Sequence, residues 1–429
     1  MRLDADTIFA PLDLEGRRTI LVAISGGSDS TALLLLFNSF AEKHGLRVVA
    51  ATVDHGLRAG SADEARHVDS LCETLGIEHR TLVWTGAKPA TGILAAARLA
   101  RYRLLSEAAR DLAADIVLLG HTADDQVETI AMRATRGTDS SDRRGDAGMA
   151  PAVLFDDAVW FVRPLLASSR SELRAFLQAS GTTWIDDPTN IDPTYERARL
   201  RASGEMPDIA ADGATGRLTA NEIAARQIEA YASLPAPGLF RIDRKLFAED
   251  GVLAFRMLLA VAGGAEHLPE AGRSRALFEK IGSPLRATLS RAVVDARRDA
   301  VWLYRENRDL PSLPPGACDW DRRWRLSRPL ETGLTVAPIG AAAEALVVPE
   351  GATQALVRHA LEAEPGLWRG RELVASLDAA HDIGAHRILG PWHRFLPSFD
   401  LAPAAALRAL VGLPKLPAAP WRDHNRSEA

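Results

Sequence analysis

Cysteine is scarce in this chain of 429 residues, which contains only Cys72 and Cys318. Their wide separation excludes disulfide frameworks, CxxC redox pairs and zinc or iron–sulfur sites built from several cysteines. No apolar run reaches the roughly 18 residues of a membrane span, and no basic leader precedes an apolar segment at the N-terminus. We therefore expect a cytoplasmic protein with no membrane partner. The net charge of −5 shows no general basic excess, so a nucleic acid would have to bind local basic patches.

Strands and helices alternate along the first third of the sequence. Short apolar runs predict strands, and longer amphipathic runs predict helices. The predicted strands are 19–24, 47–53, 80–84 and 115–119, and the predicted helices are 30–40, 62–75, 92–113 and 122–136. This order indicates an α/β fold with a doubly wound parallel sheet of Rossmann-like layout. In such a sheet the ligand crevice lies beyond the carboxyl ends of the strands, so motifs that follow strands should meet there.

The sequence predicts one more strand and helix before its composition changes. "VWFVRPLL" at 159–166 predicts a strand, and residues 168–181 predict a helix that begins with a capping box of Ser169 and Glu172. A stretch rich in Gly, Ala, Asp and Pro at 202–216 has the composition of a linker.

The remainder of the chain predicts a helical segment followed by shorter strands. Residues 217–282 have helical patterns apart from an extended piece at 240–243, and residues 286–306 alternate like a hairpin with its turn at 297–299. The predicted domains are a catalytic domain at 1–205, a mainly helical domain at 206–307 and a smaller mixed C-terminal region at 308–429.

"SGGSDS", Ser25 to Ser30, joins the first predicted strand to the first helix of the sheet. Its glycines allow close approach of the backbone to a ligand, and amides at a helix N-terminus form a cradle for an anion. The loop lacks the lysine of a Walker A motif. A plain turn with a serine N-cap is the alternative, but it leaves unexplained why Asp29 stands in an anion site. A bound Mg²⁺ would explain that carboxylate.

Two further polar motifs lie beside the same predicted crevice. "VDHGLR" at 53–58 follows the second strand and offers Asp54, His55 and Arg58, with a polar loop as the alternative. On the helix at 92–113, Arg101 falls in the middle of the apolar face and Arg98 on its edge. Because guanidinium groups seldom face a core unpaired, we expect both arginines to reach an anionic ligand or an acidic partner, unless they snorkel or form a structural ion pair.

"GHTADDQVETI" at 120–130 follows the strand at 115–119. His121 precedes a helix whose predicted packing face contains Val127, Ile130, Ala131 and Ala134. Asp125 is expected on the opposite side of that helix, with Asp124 and Glu128 between. One acid in a first turn is explained by the helix dipole, but three acids and a histidine beside a phosphate cradle indicate a functional site.

With these motifs, the chain resembles the tRNA(Ile)-lysidine synthase family of the N-type ATP pyrophosphatase superfamily over residues 18–202. "SGGSDS" matches the family's pyrophosphatase loop in full. "VDHGLR", "ARLARY" (97–102), "GHTADDQVET" and "RPLL" (163–166) match its further motifs in order and spacing. "DDPTNIDPTYERARLR" at 186–201 resembles the segment that ends the family's catalytic domain.

The resemblance implies ATP-dependent attachment of free L-lysine to the wobble cytidine of the isoleucine tRNA with anticodon CAU. In that reaction the 2-carbonyl oxygen of the base attacks the α-phosphate of ATP and pyrophosphate leaves. The ε-amine of lysine then displaces AMP. The implied cofactors are ATP and Mg²⁺, and the implied partners are tRNA(Ile) and lysine, with room for a homodimer.

The resemblance also implies roles for single residues. Asp29 and Asp125 are candidates for contacts to Mg²⁺ or to the lysine ammonium, and the sequence does not divide the two tasks between them. The implied ATP-binding residues are Ser25, Gly26, Gly27, Ser28, Asp29 and Ser30, and the implied catalytic residues are Asp29, Arg101, His121 and Asp125. The implied substrate contacts are Asp54, His55, Arg58, Arg98, Asp124 and Glu128, and the implied tRNA contacts are Arg197, Arg199 and Arg201.

Two alternatives from other classes remain at this stage. A tRNA 2-thiolase shares the loop, but such chemistry generally needs cysteines, and neither cysteine here lies in a recognised motif. A non-catalytic nucleotide- or RNA-binding module would not need acids beside its phosphate site. In the C-terminal part, "WDRRWRLSR" at 320–328 predicts either a contact to tRNA with aromatic interleaving or a solvated strand edge.

Overall fold

A computed structural model describes residues 3–57, 60–136, 143–186, 199–200, 213–345, 353–380 and 383–422. The chain folds into two compact units. The first contains the described residues up to Thr215 and those from Pro417 onward, and the second runs from Gly216 to Leu416. The described helices include none that is both long enough and apolar enough to cross a bilayer. The division into three functional domains stays a prediction.

The first unit is built on a sheet with helices packed against it. Its strands are β1 (Thr19–Ala23), β2 (Arg47–Asp54), β3 (Glu78–Val83), β4 (Ile116–Leu118), β5 (Ala152–Phe155) and β6 (Val159–Val162). Its helices are α1 (Ala5–Phe9), α2 (Ser28–His44), α3 (Ser61–Thr74), α4 (Ile93–Asp111), α5 (Ala123–Arg136) and α6 (Arg170–Ala179), with a 3₁₀ turn at Arg143–Ala147. Every strand and helix predicted before residue 181 is present, so the α/β prediction is confirmed.

The strand order in this unit is β5-β6-β4-β1-β2-β3. Four of the five pairings are parallel, as the alternating pattern predicts. Strand β5, which the sequence pattern does not predict, pairs antiparallel to β6 through a short hairpin, so the sheet is mixed and mainly parallel. The sixth strand also ends at Val162 instead of residue 166, because Pro164 has no amide hydrogen to continue the ladder.

The central strands are buried because helices cover both faces of the sheet. Ile20, Leu21 and Val22 of β1 are fully buried, which explains why their sequence is continuously apolar instead of alternating. Helix α2 begins directly after the loop that follows β1 and ends at Gly45, whose φ of 65° is the left-handed conformation favoured at helix ends. The carboxyl end of β1 therefore opens onto the N-terminus of α2.

The second unit combines helices with three small antiparallel sheets. Its helices are Gly213–Tyr231, which begins at the end of the first unit, Val252–Gly263, Ala271–Lys280, Gln354–Glu362 and Leu401–Leu410. The largest sheet orders its strands as Ala232–Ala236, Leu239–Asp243, Ala300–Arg305, Ala292–Ala296 and Leu285–Leu289. One three-stranded sheet contains Asp319–Trp320, Trp324–Leu326 and Ala385–Arg387. A second three-stranded sheet contains Leu334–Pro338, Pro365–Arg369 and Glu372–Ser376. Strand Phe395–Pro397 and 3₁₀ turns at Arg244–Phe247, Gly340–Ala345, Leu377–Ala379, Gly390–Trp392 and Ser398–Asp400 complete it.

The hairpin predicted at 286–306 is confirmed, since residues 297–299 connect two antiparallel strands. A second hairpin precedes it, with Ser290 and Arg291 at φ of 53° and 66° in its turn. The sequence signal for that turn is weak because the usual Asn or Gly is absent. The expectation of helix at 232–236 is wrong, because these residues form a strand paired with Leu239–Asp243.

Residues 320–328 form part of the interior of the second unit. Trp320 and Trp324 are 1% and 3% exposed, and Arg323 is 4% exposed. The guanidinium of Arg323 contacts Asp321 at 2.9 Å and Glu364 at 2.5 Å. For these three side chains, both the tRNA-contact and the solvated-edge predictions are therefore wrong. Arg323 thus forms buried ion pairs, whereas Arg322, the other arginine between the tryptophans, is exposed and pairs with Glu266 at 3.3 Å.

Candidate active site

The loop Ser25 to Ser30 connects β1 to α2 with its backbone held by its own serines. Ser25 donates its amide hydrogen to Oγ of Ser30 at 3.1 Å, and Ser30 Oγ donates to the carbonyl of Gly27 at 3.1 Å. Gly26 has φ of 84°, and a Cβ there would lie 2.8 Å from Cδ1 of Ile185. Glycine is therefore required at this position both by conformation and by space.

The N-terminus of α2 is open to a ligand. Its N-cap is Gly27, and within the described chain no side chain caps the helix. The alternative of a plain turn with a serine N-cap is thus wrong. The first-turn amides of a helix have no intrahelical acceptor, and the helix dipole adds positive potential there. This end of α2 has the properties of an anion site.

Gly120, at the carboxyl end of β4, packs directly on this loop. A Cβ at Gly120 would lie 3.0 Å from both N and Cα of Ser30 and 3.1 Å from the carbonyl carbon of Asp29. These are backbone atoms, which cannot rotate away as a side-chain end can. Sequence reasoning did not single out Gly120, because its role depends on a neighbour about 90 residues earlier in the chain.

We predict that Gly120→Ala lowers the free energy of unfolding by about 1–3 kcal/mol, because the new methyl group overpacks against the loop backbone. Urea unfolding of the purified variant measures the change. Gly216→Ala is the matched control, since that helical glycine has nothing within 4 Å of its Cβ position and alanine favours a helix. Equal stability of the Gly120 variant and wild type would contradict the close contact.

Four acids and one arginine meet beside the loop. Arg170, the first residue of α6, donates from Nε to Oδ2 of Asp29 at 3.1 Å and from Nη2 to Oδ1 of Asp125 at 3.4 Å. Its Nη1 lies 4.0 Å from Oε1 of Glu128, and its backbone amide donates to Oδ2 of Asp124 at 2.8 Å. Burial disfavours the charged guanidinium, but Asp29, Asp125 and Asp124 outweigh this effect and raise the pKa of Arg170.

The structure thus brings Asp29, Asp124, Asp125 and Glu128 together as the sequence predicts. On the predicted packing face of α5, Ile130 and Ala131 are buried as expected and Val127 is half-buried, but Ala134 is exposed. Asp125 and Glu128, expected outside this face, are also buried, at 7% and 1% exposed. The buried face includes the acids because Arg170 neutralises them. Sequence reasoning missed Arg170, which lies 141 residues from Asp29.

Asp125 also caps its own helix. Its Oδ2 accepts hydrogen bonds from the amide of Thr122 at 2.9 Å and from Oγ1 of Thr122 at 3.1 Å. With Arg170 at Oδ1, both carboxylate oxygens of Asp125 have partners. Asp29 accepts a hydrogen bond from Oγ of Ser28 at 3.0 Å on Oδ1 and lies within the loop itself. Of the two, Asp29 is the acid placed at the anion site.

His55 and Arg101 lie next to each other at the end of β2. Nη2 of Arg101 is 3.4 Å from Nε2 of His55, and the imidazole packs edge-on to Trp84. Because arginine only donates, Nε2 must accept and the neutral ring carries its proton on Nδ1. Among the described residues Nδ1 has no hydrogen-bond acceptor. Asp54 accepts hydrogen bonds from the Ser61 hydroxyl and the Gly56 amide, which lower its pKa.

Burial, together with the positive charge of Arg101, lowers the pKa of His55 to about 4. We predict that NMR titration of its imidazole gives a midpoint near 4, and that Arg101→Gln raises this midpoint. A lowered pKa means that the unfolded chain binds the proton more tightly. The contribution of His55 to stability is therefore present above its ordinary pKa of 6.5 and is lost as the pH falls toward 4. A midpoint near 6.5 in the wild type would contradict this environment.

The predicted placement of Arg101 in the middle of an apolar helix face is wrong. Arg98 and Arg101 are exposed, and Leu94, expected on the buried face, is 64% exposed. The buried side of α4 instead runs through Ala97, Ala100, Tyr102, Leu105, Ala108 and Ala109. Arg98 donates to the Tyr102 hydroxyl at 3.3 Å and lies over its ring. Arg101 still reaches the crevice through His55.

The structure describes only some of the other residues that the sequence predicts at the site. His121 follows β4 directly, next to Gly120, and its amide donates to the carbonyl of Leu119 at 3.0 Å. Arg199 is exposed. Arg58, Arg197 and Arg201 lie outside the described residues.

The site fits a magnesium ion that is bound jointly by the protein and by the phosphates of a substrate. Mg²⁺ is commonly held by one or two carboxylates together with substrate phosphates. Asp29 supplies such a carboxylate at the anion site. In the part of the chain that the structure describes, no group of three or more His, Cys, Asp or Glu is arranged to hold a metal ion. The donor set fits an ion that arrives with a nucleotide.

The sequence is similar to a known domain family and, along most of its length, to curated proteins. Residues 3–204 match the family model described as a PP-loop domain. The chain is 45% identical to the tRNA(Ile)-lysidine synthase of Mesorhizobium japonicum, covering 94% of this chain and 95% of that protein. It is 37% identical to the tRNA(Ile)-lysidine synthase of Rhizobium meliloti, covering 95% and 94%. Among solved structures, the U34-tRNA thiolase NcsA from Methanococcus maripaludis matches 46% of this chain and 71% of its own at 16% identity, with a TM-score of 0.38.

Proposed function

The chain belongs to the tRNA(Ile)-lysidine synthase family, and from this premise we propose that it ligates free L-lysine to a cytidine of tRNA(Ile) at the expense of ATP. The PP-loop domain implies use of ATP. The observation that carries the proposal is the uncapped N-terminus of α2, which offers its amides to phosphate beside Asp29 and the acid cluster. We further propose that the substrate tRNA carries the anticodon CAU and that its wobble cytidine is the modified base.

The first chemical step is transfer of adenylate to the base. The carbonyl oxygen at C2 of the cytidine attacks the α-phosphate, and the bond to pyrophosphate breaks. Amides of the loop and of the first turn of α2 bind the phosphates and hold them in line for displacement. Mg²⁺, held by Asp29 together with the phosphates, would neutralise charge on the leaving pyrophosphate.

The second step is displacement of AMP by lysine. The ε-amine attacks C2 of the cytidine, and AMP leaves with the former carbonyl oxygen. The ammonium must first lose a proton, which we assign to one of the carboxylates of Asp29, Asp124, Asp125 and Glu128, the acid cluster that attracts the ammonium to the crevice. His55, with a pKa of about 4, is a poor proton acceptor, so we assign it to the substrate site through its contact with Arg101. His121 at the end of β4 is the histidine that we assign to the adenylate phosphate or the amine.

The thiolase alternative has little support from the chain's own chemistry. Cys72 is fully buried in α3, and burial raises its pKa to about 11, which disfavours the thiolate needed for sulfur transfer. Cys318 lies in the second unit with no neighbouring cysteine in the sequence. We propose a cytoplasmic location, because ligation needs tRNA, ATP and free lysine together. A homodimer stays a prediction.

We expect pyrophosphate release to require tRNA(Ile) and ATP but not lysine. The motifs after β1, β2 and β4 lie at the same edge of the sheet, so ATP and the target base must meet there before lysine reacts. Omission of lysine should therefore leave an AMP–tRNA adduct, formed at most about once per active site. Addition of lysine should then release AMP. A lysyl-adenylate formed without tRNA would contradict this order.

A further inference from the structure

Arg170 contacts carboxylates that lie on two different helices, α2 and α5. Its Nε contacts Asp29, its Nη2 contacts Asp125 and its Nη1 lies near Glu128, so each nitrogen faces a different carboxylate. The side chain is 21% exposed, and those of Asp29 and Asp125 are 18% and 9% exposed. Two of the five N–H groups of the Arg170 guanidinium donate to Asp29 and Asp125, and Nη1 lies 4.0 Å from Glu128, so carboxylates on two helices orient the group.

The backbone of Arg170 is fixed as firmly as its side chain. The capping box at the start of α6 is present, with Oε2 of Glu172 accepting from the Ser169 amide at 2.9 Å. The amide of Arg170 itself donates to Asp124 on α5 at 2.8 Å. The guanidinium therefore projects from a rigid point that ties α6 to α5.

Asp29 lies on a different element from Asp125 and Glu128. Without a cation among them, the three carboxylates would repel one another at short range in a partly buried site. Of the three, Asp29 lies in the first turn of α2, a helix whose N-terminus has no side-chain cap within the described chain. Loss of the arginine would thus act first on the orientation of Asp29 and the adjoining amides.

We propose that Arg170 is a positioning residue of the nucleotide site, which acts through Asp29 to hold the phosphate-binding loop in its binding orientation. This inference rests on the proposed function only in taking Mg·ATP as the ligand. Arg170 makes no contact with the reacting atoms in this role. It serves as the resident counter-ion of the acid cluster and holds the Asp29 carboxylate in place for the arriving Mg·ATP.

A double-mutant cycle on Mg·ATP affinity, measured by isothermal titration calorimetry, tests the proposal. We expect Arg170→Met and Asp29→Asn each to weaken binding about tenfold or more, and the double variant to bind no more weakly than the weaker-binding single variant. Arg170→Lys retains the positive charge but lacks the planar guanidinium that reaches three carboxylates, so it should recover only part of the affinity for Mg·ATP. Arg103→Met, on the exposed side of α4, is the matched control and should bind as the wild type does.

The proposal is overturned if the reductions in Mg·ATP affinity of the two single variants multiply in the double variant. Unchanged Mg·ATP binding by Arg170→Met would also overturn it. If Arg170→Met fails to fold, the same cycle is run with Arg170→Lys in its place. The two kinds of failure are distinguishable. Absence of Mg·ATP binding by wild type and by Arg103→Met contradicts the proposed function itself, whereas independent losses in the variants contradict only the role of Arg170.

Discussion

Asp29→Asn should reduce ATP-dependent lysine ligation by about two orders of magnitude while the chain still folds. Asp29 is the only ionisable side chain of the loop and lies at the open N-terminus of α2. The amide of asparagine keeps the size of the side chain but can neither pair with Arg170 as an anion nor bind Mg²⁺ as a carboxylate does. Turnover of purified tRNA(Ile) at saturating ATP measures the effect.

Asp115→Asn provides the matched control for this experiment. Asp115 also pairs with an arginine, since its Oδ2 lies 2.9 Å from Nε of Arg17, but it stands at the opposite end of β4 from Gly120. We expect a change in stability of about 1 kcal/mol or less and unchanged turnover. Normal turnover of Asp29→Asn, with ordinary dependence on ATP and Mg²⁺, would contradict the assigned role of the loop.

Asp321→Asn should destabilise the second unit by about 3–5 kcal/mol. The carboxylate of Asp321 is 1% exposed and contacts Nε of Arg305 at 3.0 Å, Nε of Arg323 at 2.9 Å and the guanidinium of Arg291. Removal of its charge leaves these guanidiniums short of a counter-ion. Asparagine tolerates the left-handed backbone at this position, where φ is 51°, so the change tests charge and not strain.

Urea unfolding, followed by tryptophan fluorescence, measures the effect, because Trp320 and Trp324 flank the cluster. Asp319→Asn is the control. Asp319 pairs with Arg325 at 2.6 Å, but its side chain is 27% exposed, and we expect a loss of about 1 kcal/mol. Equal losses for the two variants would show that burial does not govern the strength of these pairs.

A second carboxylate completes this buried cluster. Burial alone would raise the pKa of Glu364, but Arg387 and Arg323 outweigh it and hold the pKa below its usual range. Asp321 and Arg323 of "WDRRWRLSR" are therefore neutralised inside the protein, whereas Arg322 and Arg328 are exposed. Sequence alone could not predict this ion pair, because Glu364 lies about 40 residues after Arg323 and directly precedes another strand, Pro365–Arg369.

The sequence predicts the layout of the site well because that layout follows from topology. In a parallel sheet, every segment that follows a strand emerges at the same edge, so the positions of Ser25 to Ser30, His55 and His121 could be expected together. Contacts across long sequence separations could not be predicted in this way. Arg170 begins a helix whose capping box is visible in the sequence, but nothing local indicates that its side chain pairs with Asp29.

Helix phase is the other point at which sequence reasoning failed. Alanines occur on several sides of α4, so the apolar pattern does not define one face, and Arg101 was assigned to the wrong side. On α5, acids were expected to avoid the interior, yet Glu128 is fully buried within 4.0 Å of Arg170. Charged residues can face the interior where a residue of opposite charge pairs with them, and hydrophobic periodicity does not reveal that partner.

Mass spectrometry of tRNA(Ile) with anticodon CAU, after incubation with the purified chain, ATP, Mg²⁺ and L-lysine, tests the central claim most directly. The proposed function predicts that the wobble cytidine gains the mass of lysine less one water, and that methionine tRNA with the same anticodon remains unchanged. An unmodified tRNA(Ile), or a wobble nucleoside in which sulfur replaces oxygen, would contradict it.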